Sequence, residues 1–287
     1  MKTLVLANQK GGVGKSFLAT QISFFLAERG KRVLHVDLDH QGNSSQPLIK
    51  SGLARTAAFA ASELLTGAKA TLPDAALVVV AGDLALSSLE RQADQHNAYV
   101  NRLGDFLADV APYFDVCIVD TNPNPDIRYA AALIVADFVV SPVELNQEAI
   151  AGIAALLDHP RYGFDRIKAL LNPQLELIGI LPNMVEATPF QRANFAALVR
   201  MHAHLLIRLD GAEQRYAFIP TRTAIAEAQA AGVPVWRLRQ VLPVSTVGEV
   251  DPMPMPVRTA AREAWREIRP VFEEIERRMQ LGSPDGD

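Results

Sequence analysis

The chain has 287 residues, 49% of them hydrophobic and 21% charged, enough to bury a sizeable core in one large α/β domain or two small ones. With 17 glycines and 18 prolines the composition excludes a disordered, collagen-like or low-complexity chain, and a single cysteine, Cys117, excludes a disulfide framework or a cysteine-built metal site within one chain. The net charge of −4 gives no sign of a nucleic-acid binder, although an average can conceal a basic face.

No apolar run approaches the roughly 18 to 20 residues of a membrane span, and the N-terminal residues lack the regions of a signal peptide, so a cytoplasmic location without stable membrane association is expected. The first strand is Thr3 to Ala7, followed by a glycine-rich turn, Gln9-Lys10-Gly11-Gly12-Val13-Gly14-Lys15-Ser16. A helix follows, with Phe17, Leu18, Ile22, Phe25 and Leu26 at helical spacing and Gly30 as its stop. Arg32 to Asp37 is a second strand, too apolar for a sheet with one wet face, so the segment reads as a βαβ unit.

The same grammar continues along the chain. Strands are expected at Leu77–Ala81, Val116–Asp120, Phe138–Ser141 and Leu177–Leu181, a helix at Asn97–Asp109, and a closing strand at Tyr216–Ile219. This predicts an α/β fold, a doubly wound, mostly parallel sheet flanked by helices on both faces. Residues 1–240 form the expected main domain, and 241–257, with Pro243, Pro252, Pro254 and Pro256, a linker or strap. A C-terminal helix over 258–280, packed on the same domain, is expected to kink or split at Pro270, and 281–287 reads as a disordered tail.

Between a strand and a helix, Lys10-Gly11-Gly12-Val13-Gly14-Lys15-Ser16 is a P-loop in its deviant form. Glycines let backbone N–H groups turn inward on a triphosphate, and the helix that follows presents its positive end. Lys15 is expected to reach the β and γ phosphates and Ser16 to ligate Mg²⁺. Lys10 lies too early in the loop to duplicate Lys15, and makes most sense reaching a phosphate bound by a partner subunit, as an arginine finger does. Asp37 and Asp39 close the second strand at the carboxyl edge of the sheet, where ligands bind: Asp39 is the candidate for orienting the attacking water, and Asp37 stands near the Mg²⁺ shell. Asp120, after Val116-Cys117-Ile118-Val119, has the Walker B arrangement beside the metal, with Cys117 a packing residue. No Asn-Lys-x-Asp element reads guanine. Asn183, after the strand ending at Leu181, either bonds an adenine edge or serves the turn beside Pro182.

These motifs resemble the ParA/Soj branch of the deviant Walker A ATPases, the partition proteins that position plasmids, chromosomes and other cargo. The resemblance runs from Lys2 to about Leu238, and rests on Ala7 to Ser16 and on Asp37-Leu38-Asp39-His40-Gln41-Gly42-Asn43-Ser44. Supporting blocks are Asp120-Thr121-Asn122-Pro123, Ser141-Pro142-Val143-Glu144, Leu181-Pro182-Asn183-Met184 and Ile219-Pro220 with Ala226-Glu227-Ala228. The resemblance implies ATP and Mg²⁺ as cofactors and a nucleotide site of Gly11, Gly12, Val13, Gly14, Lys15, Ser16, Phe17, Asn183 and Pro220, with Ser16, Asp37 and Asp120 at the metal. It also implies a homodimer sandwiching ATP with Lys10 donated in trans, non-specific binding of double-stranded DNA in the nucleoid, and a ParB-like partner that stimulates hydrolysis. His40 stands where the family has Pro, and Asn122-Pro123-Asn124-Pro125 replaces a tighter double proline.

Relatives needing a cysteine pair are excluded by the lone Cys117, and a MinD-like anchor is disfavoured by a C-terminal helix that mixes Arg258, Arg262, Arg266 and Arg269 with Glu263, Glu267, Glu273 and Glu276. Eleven arginines against seven acids between Phe190 and Pro270 make that segment +4, leaving −8 elsewhere. Arginine neutralises phosphates without reading sequence, so Arg200, Arg208, Arg215 and Arg222 are the leading DNA-binding positions, against the plainer reading of solvated helix faces. The alternative function is a positioning switch on a membrane or protein complex that never touches DNA.

Overall fold

A computed structural model describes residues 1–67, 71–146, 149–209, 215–239 and 257–281. Seven strands form one sheet: β1 (Lys2–Leu6), β2 (Val33–Asp37), β3 (Arg55–Thr56), β4 (Leu77–Val80), β5 (Val116–Asp120), β6 (Phe138–Glu144) and β7 (Glu176–Asn183). Their order is β3-β4-β2-β5-β1-β6-β7, and every neighbouring pair is parallel. The helices are α1 (Lys15–Glu28), α2 (Ser45–Lys50), α3 (Ala61–Thr66), α4 (His96–Val110), α5 (Ile127–Val135), α6 (Ala149–Asp158), α7 (Phe164–Leu170), α8 (Pro189–His202), α9 (Thr223–Ala231) and α10 (Thr259–Arg278). The sheet is doubly wound, as the apolar strands require.

Strand alternation sorts side chains into two cores. Val5, Leu34, Val36, Cys117 and Val119 pack under α3, α4, α5 and α7, whereas Leu4, Leu6, Val33, Val116 and Ile118 pack under α1, α9 and α10. Cys117 is fully buried, which pushes its thiol well above the ordinary range and leaves it a packing residue. All the loops that follow β1, β2, β5 and β7 leave the carboxyl edge of the sheet, where open α/β folds bind ligands.

Two expectations are corrected. Tyr216–Ile219 does not form a closing strand, because residues 205–208 occupy the edge of β7 first: Ile180 N–H donates to the Leu205 carbonyl at 2.7 Å. The 216–219 segment makes an isolated bridge from Tyr216 to Arg208 and reaches β7 only at its end, where Ile219 N–H donates to the Pro182 carbonyl at 2.9 Å. Pro182 and Pro220 carry no N–H donor for a regular ladder there. Of the kink or split expected at Pro270, the split does not occur. α10 is continuous from Thr259 to Arg278, since Ile268, Val271, Phe272 and Ile275 are buried on both sides of the proline and hold the two halves on one surface. Of the 241–257 strap and the 281–287 tail, all but Val257 and Leu281 lie outside the described residues.

α10 packs against α1 through Phe25, Trp265 and Phe272, whose rings lie 5.8–5.9 Å apart. Trp265 lies 4.2 Å from Trp236 with the rings tilted by 37°, and the Trp236 indole N–H donates to Glu28 at the end of α1. Buried Glu276 pairs with Arg29 at 2.7 Å, and Arg278 donates to the carbonyls of Ile178 and Arg208. Phe272→Ala removes the fully buried ring at the centre of this contact and is expected to lower the unfolding free energy by about 3–5 kcal/mol, measured by urea titration.

Candidate nucleotide site

The turn after β1 is held open by backbone that only glycine adopts freely. Gly12 and Gly14 have φ of 79° and 88°, and Gly14 caps the N-terminus of α1. A Cβ on Gly14 would meet the Asn183 side chain at 2.1 Å. That amide nitrogen donates to the Val13 carbonyl at 2.7 Å, so β7 braces the loop from one side. Asn8 braces it from another: its Nδ2 donates to the Pro142 carbonyl at 2.9 Å and its Oδ1 accepts from Lys10 N–H at 2.8 Å. Sequence reading passed over Asn8, whose partners lie across the sheet.

Lys15 is buried, and its ammonium donates to the Lys10 carbonyl at 3.1 Å. Burial lowers its pKa, against the opposing fields of Asp120 and Asp39, which places both carboxylates within its reach. Parallel register sets Asp37 directly beside Asp120, both fully buried. Asp37 is satisfied, accepting from Ser45 N–H at 2.9 Å, the Ser45 hydroxyl at 2.8 Å and Asp39 N–H at 3.0 Å. Asp120 is not: both its oxygens are buried without a hydrogen-bond partner. Burial first, and then the charge of Asp37, push its carboxyl up to about 8, against the pull of Ser16, Lys15 and Ser44.

That orphaned carboxylate beside the Ser16 hydroxyl fits a divalent cation, which would relieve the repulsion between the two aspartates. Among the described residues no group of three or more His, Cys, Asp or Glu is arranged to hold a metal alone, so Mg²⁺ here would draw further ligands from phosphate and water. Ser44, next to the site, is positioned by His35, whose two ring nitrogens lie 2.9 Å from the Ser44 and Ser23 hydroxyls; complete burial lowers its pKa to about 3 and keeps it neutral.

The loops enclose a cleft of about 340 Å³ lined by Gly11 to Phe17, Asp39, His40 and Pro123. Phe17 also lines a second cleft of about 310 Å³ with Asn183, Met184, Ile219, Pro220 and Arg222. The P-loop and Asp39 thus line one cleft and the Asn183–Pro220 pair another, with Phe17 shared between them and the Asn183 amide nitrogen committed to the loop. The arginines are less gathered. Arg215 and Arg222 line a groove of about 430 Å³ between α8 and α10 with Arg192, Arg208 sits over the Tyr216 ring at 5.6 Å, and exposed Arg200 is outside that lining. Arg222 is paired with Glu267 at 2.7 Å.

Fold and site define a P-loop nucleotide hydrolase. A family model described as an AAA domain, AAA_31, matches residues 1–177. Protein IncC of Escherichia coli is 30% identical over 98% of this chain and 70% of its own length. Chromosome partitioning protein ParA of Caulobacter vibrioides is 31% identical over 82% of this chain and 86% of its own. The crystal structure of cobyrinic acid a,c-diamide synthase from Mycobacterium smegmatis with bound ADP and magnesium superposes with a TM-score of 0.64 at 25% identity, covering 81% of this chain and 91% of that one. The chain belongs to the ParA family of P-loop partition ATPases.

Two outcomes test the site. Gly14→Ala is expected to abolish nucleotide binding, measured by titration with a fluorescent ATP analogue, because the new methyl enters the space of Asn183. Folded Asp120 keeps its proton up to about pH 8 whereas the ordinary value is 3.8, so folding takes up a proton across that window and stability falls as pH rises through it. In metal-free, nucleotide-free buffer the melting temperature of the wild type is therefore expected to fall more steeply than that of Asp120→Asn between about pH 5 and pH 8. Equal slopes in a thermal melt series would contradict the assignment.

Proposed function

We propose that this partition ATPase is an ATP-driven dimeric switch that binds DNA without sequence preference and is reset by a ParB-like partner. The observation that carries the reading is the cleft lined by Lys15, Ser16 and Asp39, with buried Asp120 acting on Lys15 from behind it and a second lysine, Lys10, on the same loop. ATP and Mg²⁺ are its cofactors; when bound, Mg²⁺ supplies charge neutralisation at the phosphates, and Ser16 and Asp120 are the residues to hold it, with Asp37 behind them. Lys15 meets the β and γ phosphates, the inward N–H groups of Gly11 to Ser16 bind phosphate oxygens, and Phe17, Asn183 and Pro220 form the base pocket. Asp39 orients the water that attacks the γ-phosphorus, the bond to the β-phosphate oxygen breaks, and ADP and phosphate leave. Catalysis of this kind is mostly positioning and electrostatics. Lys10 acts across the dimer on the partner's nucleotide.

Support for the DNA surface is chemical. Eleven arginines stand against seven acids between residues 190 and 270, and Arg200, Arg208 and Arg215 are exposed. Arg222 reaches a phosphate by exchanging its Glu267 partner, an exposed pair of the kind worth at most about 1 kcal/mol. No helix among the described residues is long and apolar enough to cross a membrane.

Duplex DNA binding is expected with ATP but not ADP, to weaken steeply with salt, and to drop on Arg200→Glu or Arg215→Glu, measured by fluorescence anisotropy. Binding that ignores nucleotide and salt would leave instead a switch acting on a protein complex. Lys10→Ala is expected to keep ATP binding and lose partner-stimulated phosphate release; full stimulation of that variant would refute the trans role.

A further inference from the structure

β2 and β4 run side by side with Val36 paired to Val80, so the chain leaving β4 passes beside the turn that carries Asp37 and Asp39. At Gly82 the two backbones nearly touch. A Cβ there would lie 2.2 Å from the Asp39 carbonyl oxygen and 3.1 Å from the carboxyl carbon of Asp37, the first of them main chain and the second fully buried. The backbone of Gly82 lies outside the left-handed region, so the position uses the missing side chain rather than glycine's conformational freedom. Its N–H donates to the Ser45 hydroxyl oxygen at 3.4 Å, and that hydroxyl donates in turn to Asp37 at 2.8 Å.

Both sides of this contact are held. The Ala81 carbonyl accepts from Ala61 N–H at 2.9 Å, and Asp83 accepts from Ser62 N–H at 3.0 Å and from the Ser62 hydroxyl at 2.7 Å. The neighbours of Gly82 are thereby tied to the first turn of α3, whose Ala61, Leu64 and Leu65 are buried in the core, so Gly82 has no room to retreat. Opposite it, the Asp39 carbonyl accepts from Gly42 N–H at 3.1 Å and the Asp39 carboxylate from Gln41 N–H at 3.1 Å. One tight turn fixes the main chain and the side chain of Asp39 together, and a displaced carbonyl carries the carboxylate with it.

We infer that Gly82 is a positioning residue for ATP hydrolysis, an assignment that rests on Asp39 orienting the attacking water. The loop after β4, anchored to α3 through Asp83, is the seat on which the Asp39 turn is set, and the bare Cα of Gly82 lets that turn close down to the wall of the phosphate cleft.

The test is phosphate release by the full chain at saturating Mg²⁺, with an ATP titration and a thermal melt of each variant. Gly82→Ala is expected to melt cooperatively and to lower kcat by about 10-fold to 100-fold while KM for ATP changes less than about twofold, as for a misplaced group. In an Asp39→Ala background the same methyl is expected to cost less than about twofold, because the group it displaces is already gone. Wild-type kcat in Gly82→Ala, a loss confined to KM, or an equal cost in both backgrounds each overturns the inference. Asp83→Ala frees the seat without adding an atom beside Asp39, and it serves even where Gly82→Ala melts below the assay temperature. Its kcat is expected to fall by about threefold to tenfold at unchanged KM, and a wild-type kcat there overturns the inference as well. Asp39→Ala at the wild-type rate removes the water-orienting reading and the inference with it; a slow Asp39→Ala beside an unimpaired Gly82→Ala removes the inference alone.

Discussion

Two aspartates buried side by side set the terms for this site. The register of β2 against β5 places Asp37 and Asp120 next to each other with no access to water, and like charges so close resist joint ionisation. The chain resolves half of the conflict itself by giving Asp37 three donors from Ser45 and the Asp39 backbone. The other half is left to Lys15, whose ammonium is itself buried, and to whatever cation the Ser16 hydroxyl helps to hold. Local rules are broken here, as expected where binding rather than folding selects the residues.

Around that conflict the rest of the fold is bracing. The P-loop is tied to β6 by Asn8 and to β7 by Asn183, so its glycine-permitted shape does not rest on the glycines alone. α1 carries the loop into the core beneath α10, and α10 continues to the far edge of the sheet, where Arg278 reaches the backbone of Ile178 and Arg208. The phosphate loop and the arginine-bearing segment are thus joined through one packed layer.

Much of this was legible in the sequence because the signals are local. β1, β2 and β5 are short continuous apolar runs ending in Asn8, Asp37 and Asp120, and the glycines of the P-loop stand between a strand and a helix. β3, by contrast, is two exposed residues, Arg55 and Thr56, with no periodicity to find. The closing strand was misplaced because its apolar pattern is real but its pairing partner is taken by 205–208, a competition no window on the sequence contains. Pro270 breaks helices in isolation, and here burial of Ile268 and Val271 on either side overrides it. The bonds from Asn183 to Val13 and the approach of Arg128 to His40 span long stretches of chain, so only the folded sheet reveals them.

The paired tryptophans at the end of α1 make the molecule observable by its own fluorescence. Trp236 and Trp265 are the whole tryptophan complement of the chain. Both sit at the opposite end of the P-loop helix from the phosphates, one of them hydrogen-bonded to Glu28. Tryptophan emission, excited selectively over the five tyrosines, is therefore a single-site signal that reports without a label on the end of that helix.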